Sequence, residues 1–419
     1  MNNETFATPS ARRLRPGLAF ALTAGVIGLC LAASAMPSPL YKLYAINWHL
    51  QTSTVTLIYA TYCFGVLASL LAFGRVSDTW GRRPVIVVGL LGLLASMVVF
   101  MSASGAAWLF AARAVQGLAT GIAISAAGAA LLELYQGGNP AKASLYNVVA
   151  SALGVGVGGL LGAVLVQYAP GPLVTPFIVL AALNVLLLLG MLLVPESVTG
   201  RTGFRIAAPG VPRQIVTPFV LAGLGITCTW SIIGIYLGLV GTLAPALMHT
   251  TSNLAAGLAI LALGGTSALP PLLTQKLAPA VQVAWGTVAL IAGVALMAWS
   301  LSISTAAGFI AASVVIGLGV GFGMFGALRT VGAAAPPDRR AQVMAAFYIV
   351  AYAAISLPAI AAGFTVRHLG AVQTFQIFGA GIVVVSLGAL LLAVTRHRAQ
   401  VRATALPVAP APAGAAERG

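Results

Sequence analysis

Charge is what this sequence has little of. Of its 419 residues, 6% are charged and 60% are hydrophobic, where an average soluble domain carries about 25% charged residues. So few charges cannot cover a water-facing surface of this size, which excludes a soluble globular protein and makes lipid the solvent for most of the chain. Acidic residues are the scarcer sign: Glu4, Asp78, Glu133, Glu196, Asp338 and Glu417 are all there are. Three cysteines (Cys30, Cys63, Cys228) each sit inside an apolar run, so neither a disulfide framework nor a thiolate metal site is indicated. The four histidines (His49, His249, His368, His397) lie at segment ends or in the tail and build no ligand cluster. No phosphate-binding loop, hydrolase elbow or zinc signature is present, so neither enzymology nor a bound cofactor is expected. The net charge of +15 would suit nucleic acid only on a polar domain with a basic patch, and there is no such domain.

What is present is a series of apolar runs about 20 residues long, the length that crosses a bilayer as helix. Arg12, Arg13 and Arg15 followed by an apolar stretch containing Ala33-Ser34-Ala35 superficially resemble a cleaved signal. The run from Gly17 to Met36 is of full spanning length, however, so it is read as a retained first helix. The predicted spans of the first half are 17–39, 53–74, 84–103, 107–134, 143–168 and 173–194. Those of the second half are 216–247, 253–275, 280–302, 305–330, 341–366 and 372–395. The expected organisation is all-α: a terminal segment 1–16, a six-helix bundle 17–194, a linker 195–215, a second six-helix bundle 216–395 and a disordered tail 396–419.

Placing the N-terminus in the cytoplasm puts 18 of the 21 Lys and Arg residues on that side. Lys42 and Arg367 fall opposite, and Arg113 lies within a span. The positive-inside rule therefore predicts that both termini are cytoplasmic. The halves also echo each other at an offset of about 200 residues. Gly117-x-x-x-Gly121 in the fourth span matches Gly317-x-x-x-Gly321 in the tenth, and Gly65 matches Gly265. Duplicated halves of this kind frame a site near the bilayer midplane.

Between the second and third spans stands Gly74-Arg-Val-Ser-Asp78-Thr-Trp-Gly81-Arg82-Arg83. Gly81 permits a tight turn at the membrane face. Asp78 is costly unpaired there, so it should meet Arg82 or a helix N-terminus. The run matches the G-x-x-x-D-x-x-G-R-R/K signature of the major facilitator superfamily, at the place where that family carries it. Arg113-Ala-Val-Gln116-Gly117 resembles the family's R-x-x-Q-G element. Gly154, Gly158, Gly159 and Gly162 resemble the G-x-x-x-G-P-x-x-G-G element of its antiporter branch, with Gly159 where proline is expected and Ala163 replacing the last glycine. Close packing of small residues explains the same stripe equally well. Pro195-Glu196-Ser197 closes the sixth span as in drug-efflux members.

The resemblance, which spans residues 17 to 395, is to the twelve-helix drug:proton antiporter branch. It implies a major facilitator fold working by alternating access under an ion gradient, and it makes protons a candidate coupling ion. It also implies that the loop of Gly74, Asp78, Gly81, Arg82 and Arg83 latches the halves in the outward-facing state. Glu133, at the cytoplasmic end of the fourth span, is a second acid placed either to pair with Arg82 or to stand solvated at a helix end. The equivalent stretch Thr274-Gln-Lys-Leu-Ala-Pro279 lacks the acid and the paired arginines, so a one-sided latch is expected. Arg113 would cost about 2.5–3.5 kcal/mol at bilayer centre and must face the bundle interior. There it is either a substrate or coupling residue or a strut bonded to the first helix. No acid lies mid-span, so a cavity holding Arg113, Gln116, Asn147, Tyr62, Trp230, Tyr236, Tyr348 and Tyr352 suits neutral or anionic amphiphiles better than cations. The resulting expectation is a monomeric exporter of small amphiphiles in a bacterial inner membrane. The alternatives are an uptake symporter for a small organic anion and a transport-inactive sensor or scaffold.

Overall fold

The computed structural model describes residues 14–74, 76–135, 140–197, 209–247, 252–336 and 339–405. Arg75, Asp338, the linker residues 198–208 and the tail from 406 onward lie outside them. Among the described residues every regular element is helical. Ten spans are α1 Pro16–Asn47, α2 Thr52–Phe73, α3 Arg82–Met101, α4 Ala106–Leu134, α5 Pro140–Tyr168, α6 Thr175–Leu193, α7 Val216–Leu247, α8 Leu254–Leu273, α9 Pro279–Ser302 and α10 Ala306–Ala334. A continuous helical stretch, Arg340–Ala405, carries the last two, because Gly370 (φ 76°, ψ 167°) breaks it. We number these α11 (340–369) and α12 (371–405), which gives the twelve spans expected. A short helix, Val76–Trp80, lies in the loop between α2 and α3.

Two boundaries differ from expectation. The first span, expected to end at 39, is interrupted at Met36 and continues from Pro37 to Asn47. Proline breaks a helix interior but is at home in a first turn, where its missing N–H has no intrahelical acceptor to lose. The tail was predicted to be disordered from 396, yet α12 runs to Ala405. Extending a formed helix through Arg, Gln and Ala costs little once nucleation is behind it.

The two halves repeat each other in three dimensions. α4 and α10 are both 29 residues long and start at 106 and 306. A Cβ on Gly117 would stand 2.3 Å from the Tyr62 carbonyl of α2, and one on Gly317 would stand 2.3 Å from the Leu263 carbonyl of α8. Gly121 and Gly321 repeat the relation one turn on, against Val66 and Ser69 and against Ser267. Without a hydrophobic drive between helices in lipid, such backbone-to-backbone approach is what holds them.

The glycines of α5 divide between two jobs. Gly154, Gly158 and Gly162 face α1, where a Cβ would meet the carbonyls of Gly28, Ala32 and Met36 at 2.3, 2.3 and 2.5 Å. Gly156 and Gly159 face α8 of the other half: a Cβ on Gly264 would lie 2.6 Å from the Gly156 nitrogen, and one on Gly159 2.4 Å from Ile260. Further along, the Asn253 N–H donates to Gln167 Oε1 at 3.0 Å. On the opposite seam Gly363 of α11 abuts Thr56 of α2. These close approaches between halves run from mid-span to the end of the bundle remote from the Val76–Trp80 loop. In α11, Pro358 cannot donate to the Ala354 carbonyl four residues back. The Ser231 hydroxyl of α7 donates to that carbonyl instead, at 3.0 Å, which is how a membrane helix tolerates an internal proline.

Candidate functional site

The loop between α2 and α3 is a hydrogen-bonded knot centred on Arg82. Its Nη1 donates to Asp78 Oδ1 at 2.5 Å and to Ser77 Oγ at 2.7 Å, while Nε and Nη2 donate to Glu133 Oε1 at 3.1 and 2.8 Å. The second Glu133 oxygen accepts the Ser197 hydroxyl. Asp78 and Glu133 are thus both engaged by one guanidinium, whose planar fork reaches them on separate edges. Glu196, expected only to close α6, has a larger part. Its carboxylate accepts the backbone N–H groups of Arg82 (2.8 Å) and Arg83 (3.1 Å), the free donors at the positive end of α3. Gly81 makes room for it. At φ 99° the backbone is in a region that L side chains rarely adopt, and a Cβ would stand 2.5 Å from Glu196 Oε2. Gly74 closes α2. The loop therefore ties together the ends of α2, α3, α4 and α6, all within the first half.

Arg113 is completely buried. Its Nε donates to the Tyr41 hydroxyl at 2.8 Å, and its Nη1 donates to the Ser34 carbonyl (3.1 Å) and to Gln116 Oε1 (2.6 Å). Gln116 completes the arrangement by donating from Nε2 to the Ala33 carbonyl at 3.0 Å. The guanidinium carbon lies 5.5, 5.3 and 5.8 Å from the ring centres of Tyr41, Tyr62 and Phe100, so aromatic faces supply part of the compensation that water would. Nη2 is buried and has no hydrogen-bond partner among the described residues. The carbonyls at 33 and 34 belong to the last turn before the interruption at Met36, so Arg113 is bonded to α1 as a strut would be. Tyr41 escaped the sequence reading because it lies beyond the predicted end of the first span.

On the facing half, Trp230 of α7 packs edge-on against Tyr352 of α11 (centroids 5.0 Å, 83°), and Tyr348 lies 6.5 Å from Tyr352. Tyr352 and Tyr348 lie on α11, which packs against α2 of the first half, and Trp230 Nε1 is buried without a partner. Six of the eight predicted cavity residues thus form two groups, Arg113, Gln116 and Tyr62 on one half and Trp230, Tyr348 and Tyr352 on the other. The remaining two do not join them. Tyr236 is buried inside the second half, its hydroxyl bonded to Ser313 Oγ at 2.6 Å beneath Phe309, and Asn147 lies beside Gly128 between α5 and α4. The three cysteines are buried and unpaired. Among the described residues no cluster of three or more His, Cys, Asp or Glu side chains could hold a metal.

A chain of this architecture has many counterparts of known structure. It superposes on the human organic anion transporter MFSD10 (TETRAN) with a TM-score of 0.61 at 18% identity, over 91% of this chain and 100% of that one. A bacterial homologue of the human lysosomal transporter Spinster, crystallised inward-facing and unoccupied, gives 0.72 at 12% identity, over 97% and 100%. In sequence, 154 residues are 34% identical to the class C tetracycline resistance protein of Escherichia coli, covering 33% of this chain and 36% of that protein. Over 152 residues, 34% are identical to the puromycin resistance protein pur8 of Streptomyces alboniger, covering 36% and 29%. The chain thus spans about a third of the length of these sequence relatives. Residues 22–359 match the Major Facilitator Superfamily. With twelve spans in two repeated halves and most of its length matching, the chain belongs to the Major Facilitator Superfamily of membrane transporters.

Proposed function

We propose that this transporter is an ion-gradient-driven exporter of small amphiphilic compounds, working by alternating access in a bacterial inner membrane with both termini cytoplasmic. The observation that carries the reading is the chemistry of the groups each half supplies. α7 and α11 contribute the aromatic pair Trp230 and Tyr352, α4 contributes the buried cation Arg113, and no carboxylate among the described residues is hydrogen-bonded to that cation. Such groups suit apolar rings and neutral or anionic polar groups, and offer a cation nothing. The resemblance of about a third of the chain to tetracycline and puromycin resistance proteins supports outward transport of drug-like molecules. The Nη2 of Arg113, buried without an acceptor, favours a second reading in which a small organic anion is carried inward. Vesicles of purified protein with an imposed pH gradient, assayed against cationic, neutral and anionic amphiphiles, separate the two. The exporter reading expects gradient-driven movement of neutral or anionic compounds toward the face opposite the termini. Anion flux toward the termini would replace it with the uptake reading, and gradient-independent leakage would refute both.

A further inference from the structure

At the 200-residue offset, the loop between α8 and α9 is the counterpart of the latch loop, and its sequence lacks both the acid and the arginine pair. Gln282 stands where Arg82 stands in the first half, Thr274 stands for Gly74, and Ala278 for Asp78. The loop is nevertheless tied down. Gln282 is completely buried, and its Nε2 donates to the Thr274 carbonyl at 2.7 Å and to Thr274 Oγ1 at 3.1 Å. The cation comes from the neighbouring helix. Arg329 of α10 donates from Nη1 to Gln282 Oε1 and to the Leu277 carbonyl, both at 2.9 Å, with its guanidinium carbon 5.4 Å from the Phe325 ring centre. Helices α9 and α10 can meet there because Gly326 has no side chain: a Cβ would lie 2.9 Å from the Val283 nitrogen and 3.0 Å from Gln282 Cβ.

We propose that Arg329, Gln282 and Thr274 are the second half's own latch, with its polarity reversed. In the first half the arginine is on α3 and the acceptor, Glu133, on α4. In the second half the arginine is on α10 and the acceptor on α9. The job is the same in both: a cross-helix bond fastens the intervening loop to the helix that follows, so each half turns as one body. This replaces the expectation of a one-sided latch. Arg329 and Gln282 are positioning residues, since neither needs to touch substrate. The acceptors that hold Arg329 here, Gln282 Oε1 and the Leu277 carbonyl, are both neutral. The role in the cycle rests on the transport reading above, whereas the lock itself does not.

Amide hydrogen exchange on the purified full chain in lipid nanodiscs tests the lock without any assumption about transport. Arg329→Gln shortens the side chain and removes its cation, so exchange at 272–282 should rise about tenfold, equivalent to about 1.4 kcal/mol of local opening, with no change at 76–83. Asp338→Asn, measured beside it, should leave 272–282 unchanged. Transplanting the first half's polarity, as Arg329→Ala with Gln282→Arg and Ala333→Glu, places cation and acid at the offsets of Arg82 and Glu133. It should restore protection and flux together, which a role in packing alone would not do. Unaltered exchange in Arg329→Gln would overturn the lock, as would loss of protection in Asp338→Asn equal to that in Arg329→Gln. Should the transplant fail to insert, the Arg329→Gln exchange decides alone. Loosened exchange with undiminished flux would keep the lock and remove its part in the cycle.

Discussion

Arg113 is a full cation inside a helix bundle, held by a tyrosine hydroxyl, one carbonyl of α1, Gln116 and three aromatic faces. Removing it strands the Tyr41 and Gln116 groups in a dry interior, at a cost of about 1–3 kcal/mol. Arg113→Gln is therefore expected to lower the thermal midpoint, and Arg113→Lys to lower it less, since the ammonium keeps the charge but cannot span all three acceptors. A strut predicts lower stability with an unchanged apparent KM. A rise in KM at unchanged stability would instead place substrate on Nη2. At the latch, Asp78→Asn keeps the shape and removes the charge that Arg82 Nη1 reaches at 2.5 Å. Insertion should survive, because Glu133 still holds the other edge of the guanidinium, and flux should fall several-fold. Flux equal to wild type at matched expression would show that the ion pair has no part in the cycle.

At the scale of elements, α5 shows how one glycine-rich helix serves two interfaces. The row Gly154, Gly158, Gly162 repeats every four residues and so lies along one face, against α1 of the same half, whereas Gly159 points to Ile260 of the other half. Substitution should separate the two faces. Gly158→Val would press into the Ala32 backbone, which cannot yield, and folded yield should collapse. Gly159→Ala meets the Ile260 side chain, which can shift, so the protein should fold and the seam between the halves should loosen. Thiol labelling of Gln167→Cys, whose side chain in the wild type bonds the Asn253 N–H, should then be several-fold faster in the Gly159→Ala background. Equal labelling rates would mean that Gly159 is plain filler. The stripe itself was legible in the sequence. Its division between two partners was not, because helical periodicity says which residues share a face but not which helix that face meets.

For the molecule as a whole, the partition of basic residues predicts that both termini share one side of the membrane and that the loop at Gly105 lies on the other. Reporters fused at Gly419 and at Gly105 should label opposite faces, and labelling of the same face would break the twelve-span topology. Composition determined that this chain lives in lipid, and hydrophobic length determined the number of spans, because a bilayer imposes one thickness on every crossing. The spacing of Gly74, Asp78, Gly81 and Arg82 located the charged turn between α2 and α3, since a tight turn with paired charges is a local device. Tertiary structure alone decided the rest: that Arg113 bonds to α1 through Tyr41 and Ser34, that Glu196 caps α3 from the end of α6, and that the second loop is held by an arginine 47 residues beyond its partner glutamine. These pairs lie far apart in the chain and are made by residue types common enough to carry no local pattern. The satisfaction of buried polar groups is settled only when helices distant in sequence are brought side by side.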